Sequence, residues 1–184
     1  MNRIFRVAAA GGVCALLFLV PVIFLGRATT PAAILLQAGR QAVVAVSFLY
    51  LMFGVAFLIF IYGFVCIGEK CGSRFLSLSG YLLMSSYFLT VLLAGLAGYF
   101  DFAHWLAPTF DLLLIVGRGG AAILLGIAML NYNPRNQKLE FWVGIFALMV
   151  GIGTLFQLAG AGWDDIADVP FLITGVVLFV SVAK

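Results

Sequence analysis

An arginine within an apolar stretch is the group in this sequence best placed to do chemistry. Arg118 stands between Gly117 and Gly119, in a run of residues that is apolar enough to cross a membrane. A guanidinium near the middle of a span costs about 2.5 to 3.5 kcal/mol on insertion scales, so it needs polar partners. Asp111 lies seven residues earlier, on nearly the same helix face and about 10 Å along the axis. The two charges would bind an anion or gate a proton path, or they would hold their helix in place, and the sequence leaves both interpretations open.

A second polar group is acidic and includes the one histidine of the chain. Its members are Asp101, His104, Asp164, Asp165 and Asp168. Carboxylates are the ligands that hard cations prefer, but the spacing matches no recognised metal-binding loop. A single histidine also excludes a haem held by two histidines of one chain. We therefore predict an acidic outer surface here, with no metal site and no bound cofactor.

Other catalytic and binding patterns are missing from the sequence. It contains no combination of serine, histidine and aspartate, no paired catalytic acids and no phosphate-binding loop. Cys14, Cys66 and Cys71 lack the second cysteine pair or the histidines that a zinc site requires. The basic residues are scattered, which gives no footprint for nucleic acid. We expect a protein that is not an enzyme and does not bind nucleic acid.

The composition identifies the solvent of the chain. Of its 184 residues, 65% are hydrophobic and 9% are charged, and the mean hydropathy is +1.20. Soluble domains are roughly half apolar and a quarter charged, so too little polar surface remains here to cover a water-soluble domain. We therefore predict an all-α integral membrane protein.

The charged residues mark where the spans begin and end, because charges are costly in hydrocarbon. The uncharged stretches predict a compact bundle of six transmembrane helices with short loops, forming a single domain over residues 1–184. The predicted helices are Ile4–Leu25, Val43–Ile67, Leu76–Tyr99, Thr109–Asn131, Phe141–Gly160 and Ile166–Ala183. Residues 27–42 include Thr30 as a helix cap and Pro31 at the first helical position, so we expect an interfacial helix there, bent at Gly39.

The distribution of lysine and arginine predicts the orientation. Six spans place both termini on one side of the membrane. That side receives Arg3, Arg6, Lys70, Arg74, Arg135, Lys138 and Lys184, and the other side receives only Arg27 and Arg40. Because basic residues accumulate in cytoplasmic loops, we expect cytoplasmic termini and an acidic outer face. We expect the protein in the inner (plasma) membrane of a bacterium.

Small residues recur with one spacing on two consecutive helices. They are Gly119, Ala122 and Gly126 on the fourth predicted helix, and Gly144, Ala147 and Gly151 on the fifth. Intervals of three and then four residues place each set on one helix face. Small residues let helix backbones approach closely in a membrane, so the two helices should pair, or one stripe should form a homodimer face.

These features favour a non-catalytic membrane subunit or scaffold. The predicted bundle has minimal loops, no soluble domain and small-residue faces suited to packing within a membrane protein assembly. Its expected partners are the lipid bilayer and other membrane subunits or further copies of the chain. The alternative is a small transporter or channel that uses Arg118 with Asp111.

Overall fold

The chain is all-helical throughout the residues that the structure describes. The computed structural model describes residues 2–28, 31–97, 103–131, 137–159 and 164–183, with side chains described for part of these ranges. Over them run six α-helices: α1 (Asn2–Ala28), α2 (Pro31–Lys70), α3 (Arg74–Ala97), α4 (Ala103–Asn131), α5 (Gln137–Phe156) and α6 (Asp164–Val182). A short 3₁₀ helix, Gln157–Ala159, follows α5. The predicted all-α class is confirmed.

Three segments of the described chain are long and apolar enough to cross a membrane. They are Asn2–Val20, Leu51–Lys70 and Lys138–Phe156. Ile115–Asn131 and Asp168–Val182 are apolar but shorter. A span needs about 20 residues at 1.5 Å of rise per residue, so the three longer segments meet this requirement. These helices agree with the membrane class predicted from composition.

The helix α2 is longer than the second predicted span. It runs unbroken from Pro31 to Lys70, so it takes up most of the residue 27–42 segment, for which a separate interfacial helix was expected. Its 40 residues extend about 60 Å. No proline interrupts α2 after its first residue, and a glycine such as Gly39 costs a helix only about 1 kcal/mol.

The helices form a closed ring in chain order. Each helix packs on the one that follows it, and α6 packs on α1. Neighbouring helices run in opposite directions, as in an up-and-down bundle. On α1, for example, Gly12 faces Phe60 of α2 and Val176 of α6, while Gly63 of α2 faces Ala8. Gly12 lets the bulky side chains of Phe60 and Val176 reach the α1 backbone, and Gly63 lets Ala8 and Phe179 reach the α2 backbone.

Phenylalanines fill the interior of the ring. Phe57, Phe60 and Phe64 follow one face of α2 and meet Phe171 and Phe179 of α6, all of them buried. Their ring centroids lie between 4.8 Å (Phe64 to Phe179) and 6.4 Å (Phe57 to Phe171) apart. These are the distances at which aromatic rings attract each other through offset or edge-to-face contacts. The middle of the bundle is therefore a solid aromatic core.

A tight turn between α2 and α3 marks one end of the bundle, which we call the turn end. Gly72 has a φ of +68°, a left-handed conformation that glycine adopts without steric cost. Ser73 then caps α3, because its Oγ accepts a hydrogen bond from the Leu76 N–H at 3.3 Å. The Asn2 end of α1, the first turn of α5 and the last turn of α6 lie at this same end, because the helices alternate in direction.

The outward faces of the ring are apolar as well. Every one of the six helices exposes large apolar side chains, among them Val7, Val13 and Leu17 on α1, Leu51, Val55 and Ile59 on α2, Leu78, Leu82 and Leu89 on α3, Leu112, Val116 and Ile127 on α4, Met149, Ile152 and Phe156 on α5, and Ile173, Val177 and Val180 on α6. In a water-soluble bundle these positions carry polar residues. The surface of the ring thus suits hydrocarbon on all sides.

Candidate interior polar site

Arg118 is held between three helices. It lies on α4 and is half-buried. Its Nη2 donates a hydrogen bond to Oε1 of Gln157, at a donor–acceptor distance of 3.4 Å. Its guanidinium carbon lies 5.5 Å from the ring centroid of Tyr87 on α3, within the range of a cation–π interaction. The guanidinium therefore links α4 both to α3 and to the end of α5.

Tyr87 and Gln157, which contact Arg118, are each held by their own surroundings. Tyr87 is buried, and its ring centroid lies 4.3 Å from that of Phe57, so the aromatic core fixes its ring. Gln157 begins the 3₁₀ helix that follows α5, where the backbone tightens and ends the span. The result is a polar site with a positive charge, an amide and an aromatic face, located toward the bundle end opposite the turn end.

Asp168 belongs to this same half of the bundle. It lies on α6, four residues after the helix begins, and is 6% exposed. Phe171 and Leu172, three and four residues later on the same helix face, are also buried, so Asp168 faces the interior. Asp168 was expected on the acidic outer surface, whereas the structure buries its side chain on the inward face of α6. The buried carboxylate is not an isolated charge, because it interacts with other groups.

Several residues singled out by the sequence lie outside the described part of the chain. The backbone of Asp111 belongs to α4, seven residues before Arg118, but its side chain is not described, so the expected pairing with Arg118 stays a prediction. The same holds for the side chains of His104, Asp164 and Asp165, whose backbones lie in α4 and α6. Asp101 falls between two described ranges.

The predicted small residues face each other across α4 and α5. A methyl group built on Gly151 would lie 2.7 Å from the carbonyl oxygen of Gly119, and one built on Gly126 would lie 2.8 Å from that of Gly144. Ala122 and Ala147, between these glycines, are each 1% exposed. The two backbones approach so closely that only glycine fits at both crossings. Both stripes are therefore occupied within the chain.

Glu140 is a buried carboxylate that the sequence analysis did not single out. It lies in the first turn of α5 and is 6% exposed, and its Oε2 has no hydrogen-bond partner in the structure. The charge of Glu140 served only to place the start of the fifth predicted span at Phe141. A signal was present, because Glu140 precedes Gly144 by four residues and Ala147 by seven, and so continues the small-residue stripe into the bundle.

Nothing in the described chain adds a metal centre to these groups. No three side chains of histidine, cysteine, aspartate or glutamate cluster within the described residues. Cys14 and Cys71 are exposed free thiols, and Cys66 is a half-buried one. The Arg118 site can hold an anionic or hydrogen-bonding group through the guanidinium and the Gln157 amide. Comparison with known protein families, with curated proteins and with solved structures gives no match.

Proposed function

We propose that the protein is a six-span integral membrane protein that serves as a non-catalytic subunit or scaffold of a membrane protein assembly. The observation that carries this proposal is the closed ring with an aromatic core inside and apolar faces outside. Such a ring is stable as a unit in lipid and offers its whole perimeter to other membrane proteins. Buried aromatic side chains fill the middle of the ring and leave no obvious route for water between them: Phe57, Phe60, Phe64, Phe171 and Phe179.

All six helices share the property that supports membrane insertion. Each of them exposes large apolar side chains on its outward face, including α4 and α6, whose apolar segments Ile115–Asn131 and Asp168–Val182 are shorter. At about 25 cal/mol per Å² of apolar surface, such faces are costly in water and cost nothing in hydrocarbon. The outward faces therefore favour six spans over three.

The orientation in this proposal follows from the charges at the turn end. Arg3, Arg6, Lys70, Arg74 and Lys138 are exposed there. Lys70 also lies 5.6 Å above the ring of Phe5, which places the start of α1 beside the end of α2. Because basic residues are retained on the cytoplasmic side, we propose that the turn end and both termini are cytoplasmic, in a bacterial inner membrane.

Partner contacts in this proposal use the outward faces of the ring. The stripes of α4 and α5 cannot serve a partner, because Gly119 and Gly151 already face each other within the chain. Native mass spectrometry of the protein, released in mild detergent from its own membrane, tests the proposal. We expect a defined partner or a closed homo-oligomer. A monomer that carries no partner under these conditions contradicts it.

A second candidate function is the binding or transport of an anion at Arg118, together with Asp111. The observation that favours it is a half-buried guanidinium that reaches the interior between α3 and α5 and already holds a polar group, the amide of Gln157. We expect Arg118→Ala to abolish chloride flux into proteoliposomes, and Arg118→Lys, which keeps the charge, to retain part of it. If wild-type vesicles show no more flux than empty vesicles, this candidate fails for chloride.

A further inference from the structure

Glu140 is the buried charged group that the proposed function leaves unexplained. Only 6% of its surface is exposed, and its Oε2 is fully buried without a hydrogen-bond partner among the residues that the structure describes. A carboxylate in such a position normally accepts two or more hydrogen bonds or pairs with a cation. The absence of a partner therefore calls for a different account of its charge.

The surroundings of Glu140 are apolar. Val143 and Ala147 continue its helix face and are completely buried, so the carboxyl group points into the bundle. Its sequence neighbours Phe141 and Trp142 are exposed on the other side of α5. Across from this part of α5 lies the end of α4, where the backbone of Gly144 meets the side chain of Leu130. Val143 and Ala147 along the helix face of Glu140, and Leu130 at the facing end of α4, thus carry hydrocarbon side chains.

The described charged groups of the neighbouring helices are distant. In the described parts of α4 and α6 these groups are Arg118 and Asp168, both in the other half of the bundle. Gly119, next to Arg118, faces Gly151, which lies eleven residues or about 16 Å along α5 from Glu140. On α5 itself, Lys138 is exposed and thus on a different face. Among the described side chains of α4, α5 and α6, no cation therefore lies on the face of Glu140.

A proton is the ligand that resolves this arrangement. An ionised carboxylate in an apolar site without a partner is far less stable than the neutral acid, and buried groups of this kind take up a proton instead. The neutral acid has one O–H donor and no net charge, which matches an apolar pocket better than an anion does.

We propose that Glu140 is a proton-binding site. Its side chain is a neutral carboxylic acid while the first turn of α5 packs against the end of α4. Release breaks the O–H bond. The proton passes to water at the turn end, and the electron pair stays on the carboxylate, which then requires water or a cation. Loss of the proton therefore separates the first turn of α5 from the end of α4. Through this site, the proton concentration at this membrane surface controls the packing of α4 and α5.

Carbodiimide labelling of the intact protein in membranes tests this proposal. The hydrophobic reagent dicyclohexylcarbodiimide takes the proton of a neutral acid onto its nitrogen and bonds to the carboxyl oxygen at its central carbon, so the labelled peptide gains the whole mass of the reagent. Glu69 is the internal control, because it lies exposed at the same end and accepts a hydrogen bond from Tyr81 at 2.9 Å. At neutral pH we expect labelling of Glu140 at least about tenfold above that of Glu69, and lost in alkaline buffer. Equal labelling of the two residues would overturn the proposal.

Infrared difference spectroscopy gives a readout that does not depend on access of a reagent. The wild-type protein minus the Glu140→Gln variant should show the carbonyl stretch of a neutral acid at neutral pH, with a shift in D₂O, and the band should disappear in alkaline buffer. A carboxylate band at neutral pH in its place would contradict proton binding. Because glutamine mimics the neutral acid in shape and charge, Glu140→Gln should fold like the wild type. Failure of this variant to fold would show that the ionised form is required, which also overturns the proposal.

Discussion

The crossing of α4 and α5 at Gly119 and Gly151 allows a quantitative test of the packing. In Gly151→Ala the new methyl carbon would lie 2.7 Å from the carbonyl oxygen of Gly119 and 2.8 Å from the backbone nitrogen of Ile123. Ordinary contacts of such a carbon begin at 3.4 Å, so α4 and α5 must separate by about 0.7 Å. A third obstructing atom, Cγ1 of the Ile123 side chain, would lie at 2.6 Å. The other two atoms belong to the α4 backbone, which cannot move aside as a side chain end does. Overpacking of this kind costs about 1 to 3 kcal/mol of unfolding free energy.

A matched control is available on α4 itself. Gly120 is adjacent to Gly119, but a methyl group built on it would meet no atom within 4 Å. Gly120→Ala therefore introduces the same chemical change without a clash, and alanine stabilises a helix relative to glycine by up to about 1 kcal/mol. The expected difference between Gly151→Ala and Gly120→Ala is thus about 1 to 4 kcal/mol in the unfolding free energy.

The assay is reversible unfolding in mixed micelles of mild detergent and dodecyl sulfate, followed by circular dichroism. Gly151→Ala should unfold at a lower dodecyl sulfate fraction than the wild type, and Gly120→Ala at the same or a higher one. Size-exclusion chromatography should show an unchanged oligomeric state for both, because the contact lies within one chain. Equal stability of the two variants would refute the close approach of the backbones. A changed oligomeric state in Gly151→Ala alone would make the stripe a face between copies.

Three further predictions use the same preparations. Phe60→Ala removes a ring from the centre of the aromatic core and should lower the unfolding free energy by about 3 to 5 kcal/mol. Phe48→Ala, at a position that is 57% exposed, should change the unfolding free energy far less. Comparable losses in the two variants would contradict the assignment of the core. Cys71, which is exposed in the turn, should react with a membrane-impermeant maleimide in inverted vesicles but not in intact cells. Cys14, which is exposed on the apolar face of α1, should react in neither preparation. Labelling of Cys71 in intact cells would reverse the proposed orientation. Tyr81→Phe removes one exposed hydrogen bond and should change the unfolding free energy by about 0.5 kcal/mol or less, so a loss of several kcal/mol would show that this contact is not exposed.

The positions of the helices were predictable because charges mark the ends of apolar segments. The predicted Phe141–Gly160 and Ile166–Ala183 agree within four residues with α5 (Gln137–Phe156) and α6 (Asp164–Val182). The same rule gives no direction for a charged side chain. Asp168 and Glu140 are buried because the helix face on which each charge lies decides whether it points into the bundle.

The interior of the ring was less predictable than its helices. In a soluble protein, polar residues mark the outward face of a helix, but here both faces are apolar. The sequence therefore does not tell which of its 18 phenylalanines point into the bundle and which point outward. The contacts of Arg118 were hidden for a similar reason. Tyr87 and Gln157 come from α3 and from the end of α5, and only the order of helices around the ring brings them to α4. The pairing of small residues was visible because its spacing recurs on two helices.

The closure of the ring by α6 has a consequence for how the protein is made. The stacked rings of Phe5 and Phe179, 6.3 Å apart, join α1 to α6, the two described helices that lie farthest apart along the chain. Until α6 has been synthesised, the face of α1 that holds Ala8, Gly12 and Ala15 has only one of its two neighbouring helices. The ring of the six described helices therefore cannot close before α6 is present. A chain that stops before α6 leaves the seam between α1 and α5 unfilled.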